Sequence, residues 1–195
     1  FIFSLFSFIY IGKNVPVNFA YITNQGENTV TVVDLNKLSI LKKIEVGKSP
    51  LGITILKNKA IAVVGNIDSQ SLSIIDLKKN QVKKTVVLKT APLGMVVHPS
   101  EDKVLITSWY ENKVLILSTE DFTITHKINV GMTPSGIAFN KKHSYIIVAN
   151  RDVNTIEIYD DKNYKLQKTI NVGKHPYGIS SKGDLIFTAN VYDDS

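Results

Sequence analysis

The 195-residue chain contains no cysteine, one tryptophan and one arginine. Without cysteine it has no disulfide framework, no thiolate metal site and no residue to carry a lipoprotein lipid. With Trp109 and Arg151 each single, the arginine forks and aromatic platforms typical of nucleic-acid readers are scarce. Sustained helical spacing is missing, as is any apolar run of the ~20 residues a membrane helix needs. There is no Gly-x-Ser-x-Gly elbow, no Walker loop and no His-Glu-x-x-His motif. His98, His126, His143 and His175 fall at divergent places in the pattern described below, whereas zinc needs three or four converging ligands. No catalytic residue, metal site or cofactor is therefore expected.

What the chain does have is a period. Pro50/Gly52, Pro92/Gly94, Pro134/Gly136 and Pro176/Gly178 recur at steps of 42 residues. At average Pro and Gly usage, that register has a chance probability on the order of 10⁻⁷ to 10⁻⁸. Asn24, Asn66, Ser108 and Asn150 form a second frame, and Asp34, Asp76, Ser118 and Asp160 a third. A fourth is Gly47, Lys89, Gly131 and Gly173. Each unit reads as four short strands, predicted in one copy over 135–140, 144–150, 155–160 and 165–172. The third alternates, with Val30/Val32, Leu72/Ile74, Val114/Ile116 and Ile156/Ile158 on one face. The second is a continuous apolar run, as in a strand buried on both faces.

Four strands in about 42 residues make one blade of a β-propeller. The expected fold is all-β with four-stranded antiparallel blades. A partial blade is expected over 20–49, full blades over 50–91, 92–133 and 134–175, and a partial blade over 176–195. The glycine of each Pro-x-Gly is expected to open the innermost strand, where a side chain would crowd the axis. The proline fixes φ between blades. The Asn and Asp frames are expected to close turns through their side chains.

The runs Ala20-Tyr21-Ile22-Thr23-Asn24 and Tyr145-Ile146-Ile147-Val148-Ala149-Asn150 resemble the signature of the YVTN β-propeller repeat family. Asn28-Thr29-Val30-Thr31-Val32-Val33-Asp34 and the segment from Ile170 through Pro176-Tyr177-Gly178-Ile179 are similar to it as well. The resemblance covers the chain from about Ala20 onward and departs at Ser108, Ser118 and Lys89. It implies a seven-bladed ring in an extracytoplasmic protein of bacteria or archaea. Seven such blades need about 294 residues, within the usual 4–8 blade range, so roughly four blades of a longer ring are expected here. Residues 1–11 (FIFSLFSFIYI) have the length of a signal-peptide apolar region, with 1–19 expected as leader. Periplasmic or secreted localisation follows, with a membrane tether if the leader is not cleaved.

Net charge is +6, from 23 Lys+Arg against 17 Asp+Glu. Lysines cluster in the first-to-second and third-to-fourth strand turns and on the outer strands. That pattern reads as protection of sheet edges, or as an anion-facing or nucleic-acid surface. Where repeats differ on the opposite loop face, a binding site is expected. Trp109, Tyr110, Arg151, His175 and Tyr177 are the unusual members there, and such residue types dominate binding hot spots. Leu51, Leu93, Ser135 and Tyr177, after each proline, are expected near the mouth of the central channel. The function expected first is a non-catalytic propeller that binds a protein or small ligand through this face, as an envelope scaffold or accessory protein. The alternatives are a propeller enzyme (a lactonase, or part of a quinone- or haem-dependent oxidation system) and a basic anion or nucleic-acid binder.

Overall fold

The structure, a computed structural model, describes residues 18–192. The apolar segment 1–11 lies outside them, and Phe19, counted above with the leader, already opens the first strand. The first sheet holds β1 (Phe19–Asn24), β2 (Thr29–Asp34) and β3 (Ser39–Glu45); the second holds β4 (Pro50–Leu56), β5 (Ile61–Asn66), β6 (Ser71–Asp76) and β7 (Gln81–Val87). The third comprises β8 (Pro92–Val97), β9 (Lys103–Ser108), β10 (Lys113–Ser118) and β11 (Ile124–Asn129). The fourth comprises β12 (Pro134–Asn140), β13 (Tyr145–Asn150), β14 (Thr155–Asp160) and β15 (Leu166–Asn171), and β16 (Pro176–Lys182) pairs with β17 (Leu185–Asn190). All are consecutive antiparallel meanders, and the fold is propeller-like. The chain divides into two compact units between Pro92 and Leu93.

Burial follows the order of strands within each sheet. All six residues of β5 are buried, while β7 and β15 are almost wholly exposed or half-buried. β-Branched residues fill the central strands, whose inward and outward positions are both buried. In the first unit Tyr21, Val30, Val32 and Ile44 pack on Ala62, Val64, Ile75 and Leu77 of the next sheet. In the second, Leu105, Val114, Ile116 and Ile128 pack on Ile137, Ile146, Val148 and Tyr159. The core therefore lies between sheets, not inside any one of them.

Two irregularities repeat. The Pro-x-Gly segment is a bulge: Pro134 pairs with Asn150, yet pairing resumes only at Ile137 with Val148. The same break falls between Pro50 and Ile53. The expectation that glycine opens the innermost strand is corrected here, most plainly at Gly52. The strand β4 opens at Pro50, and Gly52 stands third in it, half-buried and skipped by the β5 register. Proline can take the first place because its missing N–H costs no ladder bond there. Inside the bulge, Leu51 instead offers its carbonyl to the Thr23 hydroxyl of the preceding sheet at 3.0 Å, as Ser135 does to Thr107 at 2.8 Å.

Gly94 and Gly136 lie against the backbone carbonyls of Ser135 and Tyr177, where an added Cβ would collide. The backbone of the neighbouring sheet excludes a side chain at these two positions. A second bulge adds Leu41, Lys83, Thr125 or Gln167 to each outer strand, between Val32/Val33, Ile74/Ile75, Ile116/Leu117 and Ile158/Tyr159 of the partner. Bulges at sheet edges discourage further strand pairing.

The Asp frame closes turns as expected. Asp34 Oδ1 accepts the Asn36 and Lys37 amides at 2.9 and 3.1 Å, and Asp76 and Asp160 repeat this. The Asn frame does something else. Asn24 Nδ2 donates to the hydroxyls of Thr29 and Thr31, Asn66 Nδ2 to Ser71 and Ser73, and Asn150 Nδ2 to Thr155. Asn66 and Asn150 are 0% exposed, so they face the third strand instead of the turn backbone. Gly131 packs on this amide; a Cβ there would stand 2.6 Å from Asn150 Nδ2.

Candidate functional site

The loops that carry the expected site are held by a clamp that repeats with the fold. Asn28, Asn112 and Asn154 each end a hairpin turn at positive φ (58°, 53° and 56°), a conformation asparagine tolerates well. Their Oδ1 atoms accept the amides of Ser49, Thr133 and His175, each at 2.9 Å. Those three residues also turn at positive φ just before the proline. In the remaining copy Gln70 replaces the asparagine and the positive φ moves to Lys89. The departure at Lys89 is thus a change of loop path, paired with the change at Gln70.

On this clamped frame the second unit assembles four of the five expected residues. Trp109 follows β9, and Arg151 opens a single 3₁₀ turn, Arg151–Val153, after β13. The Arg151 guanidinium lies 5.9 Å from the Trp109 ring centroid, within cation–π range. Tyr177 approaches Trp109 edge-on at 6.5 Å between centroids. Asp152, absent from the residues expected here, ties the group together. Its carboxylate accepts Arg151 Nη1 at 2.6 Å and the Thr133 hydroxyl at 2.6 Å, and lies 3.7 Å from His175 Nδ1. His175 in turn meets Tyr192 edge-on at 4.8 Å. Tyr110 is 70% exposed and stands apart from these contacts.

Electrostatics within the cluster are consistent. The Thr133 hydroxyl first, then Arg151 and His175, hold the Asp152 carboxyl below its usual range against partial desolvation. Burial pushes the Tyr177 phenol up, opposed by the Arg151 charge. The cluster therefore presents an arginine, pinned and half-buried, flanked by a neutral phenol and an indole. Such a surface can stack on a planar or aromatic group and donate hydrogen bonds beside it. Of the residues after each proline, Leu93 and Ser135 are buried, and Leu51 and Tyr177 half-buried. Ser135 is 1% exposed, its hydroxyl donating to Pro176 O at 2.8 Å with Ala149 O at 3.2 Å. The bulge turns that position toward the next blade.

A second polar group lies at the strand ends opposite these loops. His98 Nε2 meets Asp161 Oδ2 at 3.0 Å, and its Nδ1 is 2.5 Å from Ser100 Oγ and 3.2 Å from Asp102 Oδ1. The Ser100 hydroxyl donates to Asp102. With that proton committed to Asp102, His98 has the bonding of a clamp between two turns instead of a base facing a nucleophile. Lys103 joins at 2.9 Å from Asp161 Oδ1 and 3.4 Å from the Tyr164 hydroxyl. Burial alone would depress the Lys103 ammonium; Asp161 and Tyr164 outweigh it and raise it. Other basic residues are also partnered: Lys43 with Glu27 at 2.6 Å, Lys127 with Glu111 at 3.4 Å and Lys142 with Asp184 at 2.5 Å.

The chain matches no family profile and no curated protein sequence. Among solved structures it is similar to hydrazine synthase of Kuenenia stuttgartiensis, with a TM-score of 0.76 at 16% identity. That match covers 84% of this chain and 48% of the other. It is also similar to a protein of unknown function from Desulfotomaculum acetoxidans, with a TM-score of 0.78 at 17% identity over 90% of this chain and 61% of that one. The chain thus spans about half to three fifths of the structures it resembles. At this level of identity the likeness establishes an all-β, propeller-like fold.

Proposed function

We propose that the chain is an arc of an extracytoplasmic YVTN-type β-propeller that binds a partner through its loop face and carries out no chemistry there. The observation that carries this is the pinned arginine: Arg151 lies against Trp109 and is fixed by Asp152, where equivalent loops of the other copies differ. Arginine and tryptophan with their rotamers already ordered lose little entropy on binding, which is what hot spots require. The YVTN assignment, a seven-bladed ring and export rest on the sequence runs and the apolar segment described above. The lysines of the outer strands and turns, several of them already paired with acids, act as edge protection in this proposal and not as an anion-binding surface.

The test compares proteins co-purifying from an envelope fraction with the wild type, with Trp109→Ala/Arg151→Ala, and with Lys78→Ala/Lys79→Ala at an exposed turn of the first unit. The loop variant is expected to lose its partner at least about tenfold, with its melting temperature nearly unchanged. The lysine variant should retain it. Equal recovery with both variants would refute the assignment of the loop face.

A further inference from the structure

The sheet-to-sheet contact in the second unit contains a carboxylate that the fold does not require. In the frame Thr31, Ser73, Leu115 and Glu157, only the last is an acid. At this place Ser73 Oγ accepts the Gly47 amide at 3.4 Å. Glu157 Oε2 takes over that duty from Gly131 at 2.9 Å and adds the Tyr159 hydroxyl at 2.6 Å. A serine would satisfy the backbone here. Tyr159 is equally unusual in its own frame, where the other copies have Val33, Ile75 and Leu117. Its hydroxyl also reaches Asn129 O at 3.1 Å.

Both residues line an open groove of about 490 Å³ between β11 and the β14–β15 hairpin. That size falls in the range of small-molecule sites. Ile128, Val130 and Leu166 supply an apolar wall, and Tyr164 a second aromatic ring. Glu157 lines the groove, and both of its hydrogen bonds described above fall on Oε2, with none described on Oε1. Lys127, at the rim, is already paired with Glu111.

We propose that this groove binds a small organic ammonium compound, its cation paired with Glu157 and its apolar body held against Ile128, Val130 and Leu166. A carboxylate beside an apolar wall offers an organic cation both a counter-charge and a surface for its body. Burial, then Glu157, holds the Tyr159 phenol neutral by raising its pKa, so the ring adds no second anion.

Phenethylamine is the probe, with phenylacetate as the matched body of opposite charge, read by amide chemical shifts on the full chain. Saturable binding of phenethylamine that moves the Gly131 amide is expected, with phenylacetate at least about tenfold weaker, a difference of about 1.4 kcal/mol. Glu157→Gln should lose at least about tenfold in affinity. Glu157→Ser installs the residue that another copy tolerates, so it keeps the fold and should lose affinity likewise. The proposal is overturned by no saturation up to about 10 mM, weaker than any useful specific site. Equal binding of phenylacetate, undiminished binding by Glu157→Ser, or shifts centred on Trp109 instead of Gly131 would each overturn it too.

Discussion

Gly136 shows what a single absent Cβ does in this fold. Its α-carbon stands against the Tyr177 carbonyl of the following sheet, and an alanine methyl would overlap that oxygen. The oxygen belongs to a strand and not to a flexible side chain, so backbone must move. Gly136→Ala is expected to destabilise the chain by about 1–3 kcal/mol, the usual range for overpacking, measured by urea denaturation. Gly26, on an open turn with nothing within 4 Å of a Cβ, serves as the control and should change little on substitution by alanine. The Pro-x-Gly register was legible in the sequence because the recurrence itself marks it. What the glycine does was not: Gly52 and Gly136 sit inside a bulge, third in their strands, instead of opening them. The Asn28, Asn112 and Asn154 clamps follow the same step and were missed, because asparagine at a turn reads as generic. The signal was available in Gln70, which departs from the frame in the same copy as Lys89.

Strand by strand, alternation and apolar runs placed the elements to within a residue or two, as β12 to β15 show against the spans expected for them. The bulges were invisible. A bulge preserves hydrophobic alternation on each side of the extra residue, so nothing in the pattern marks it. Gln167 is such a residue, unmatched between Lys168, which pairs with Ile158, and Leu166, which pairs with Tyr159. Deleting it would force a one-residue slip and swap the faces of part of β15. Substituting it leaves the register alone. Gln167→Ala should therefore stay within about 0.5 kcal/mol of wild type, the usual range for an exposed site. Deletion should lower the denaturation midpoint clearly; an equal midpoint for the two would show that the bulge is dispensable.

At the scale of the whole molecule, stability is expected to behave as a sum over neighbouring sheets, since the core lies between them. One contribution to stability that is lost at alkaline pH comes from Tyr21. This phenol is buried between the first two sheets and donates to Asn80 Oδ1 at 2.8 Å; burial pushes its pKa up to about 12. An unfolded tyrosine ionises near pH 10. The contribution is fully present below about pH 10 and is lost as pH rises through 12, because the unfolded chain releases the proton first. The stability gap between wild type and Tyr21→Phe should accordingly narrow across that window in denaturant titrations. A constant gap would mean that the phenol titrates normally. The candidate site was half legible at this scale: the rarity of Trp109 and Arg151 marked the loop face, but Asp152 and Glu157 were not distinguished from ordinary surface acids by sequence. Their roles come from which blades fold against each other.

The singularity of Trp109 has an optical consequence. Excited at wavelengths where tyrosine does not absorb, the protein fluoresces from one indole, and that indole sits between a guanidinium and a phenol in the loop cluster. Its emission therefore reports on the loop cluster without labelling. The thiol-free chain leaves the open turn at Gly26 free to carry a second, chemically attached dye through a Gly26→Cys change. One molecule can then be followed in two colours, one for each compact unit.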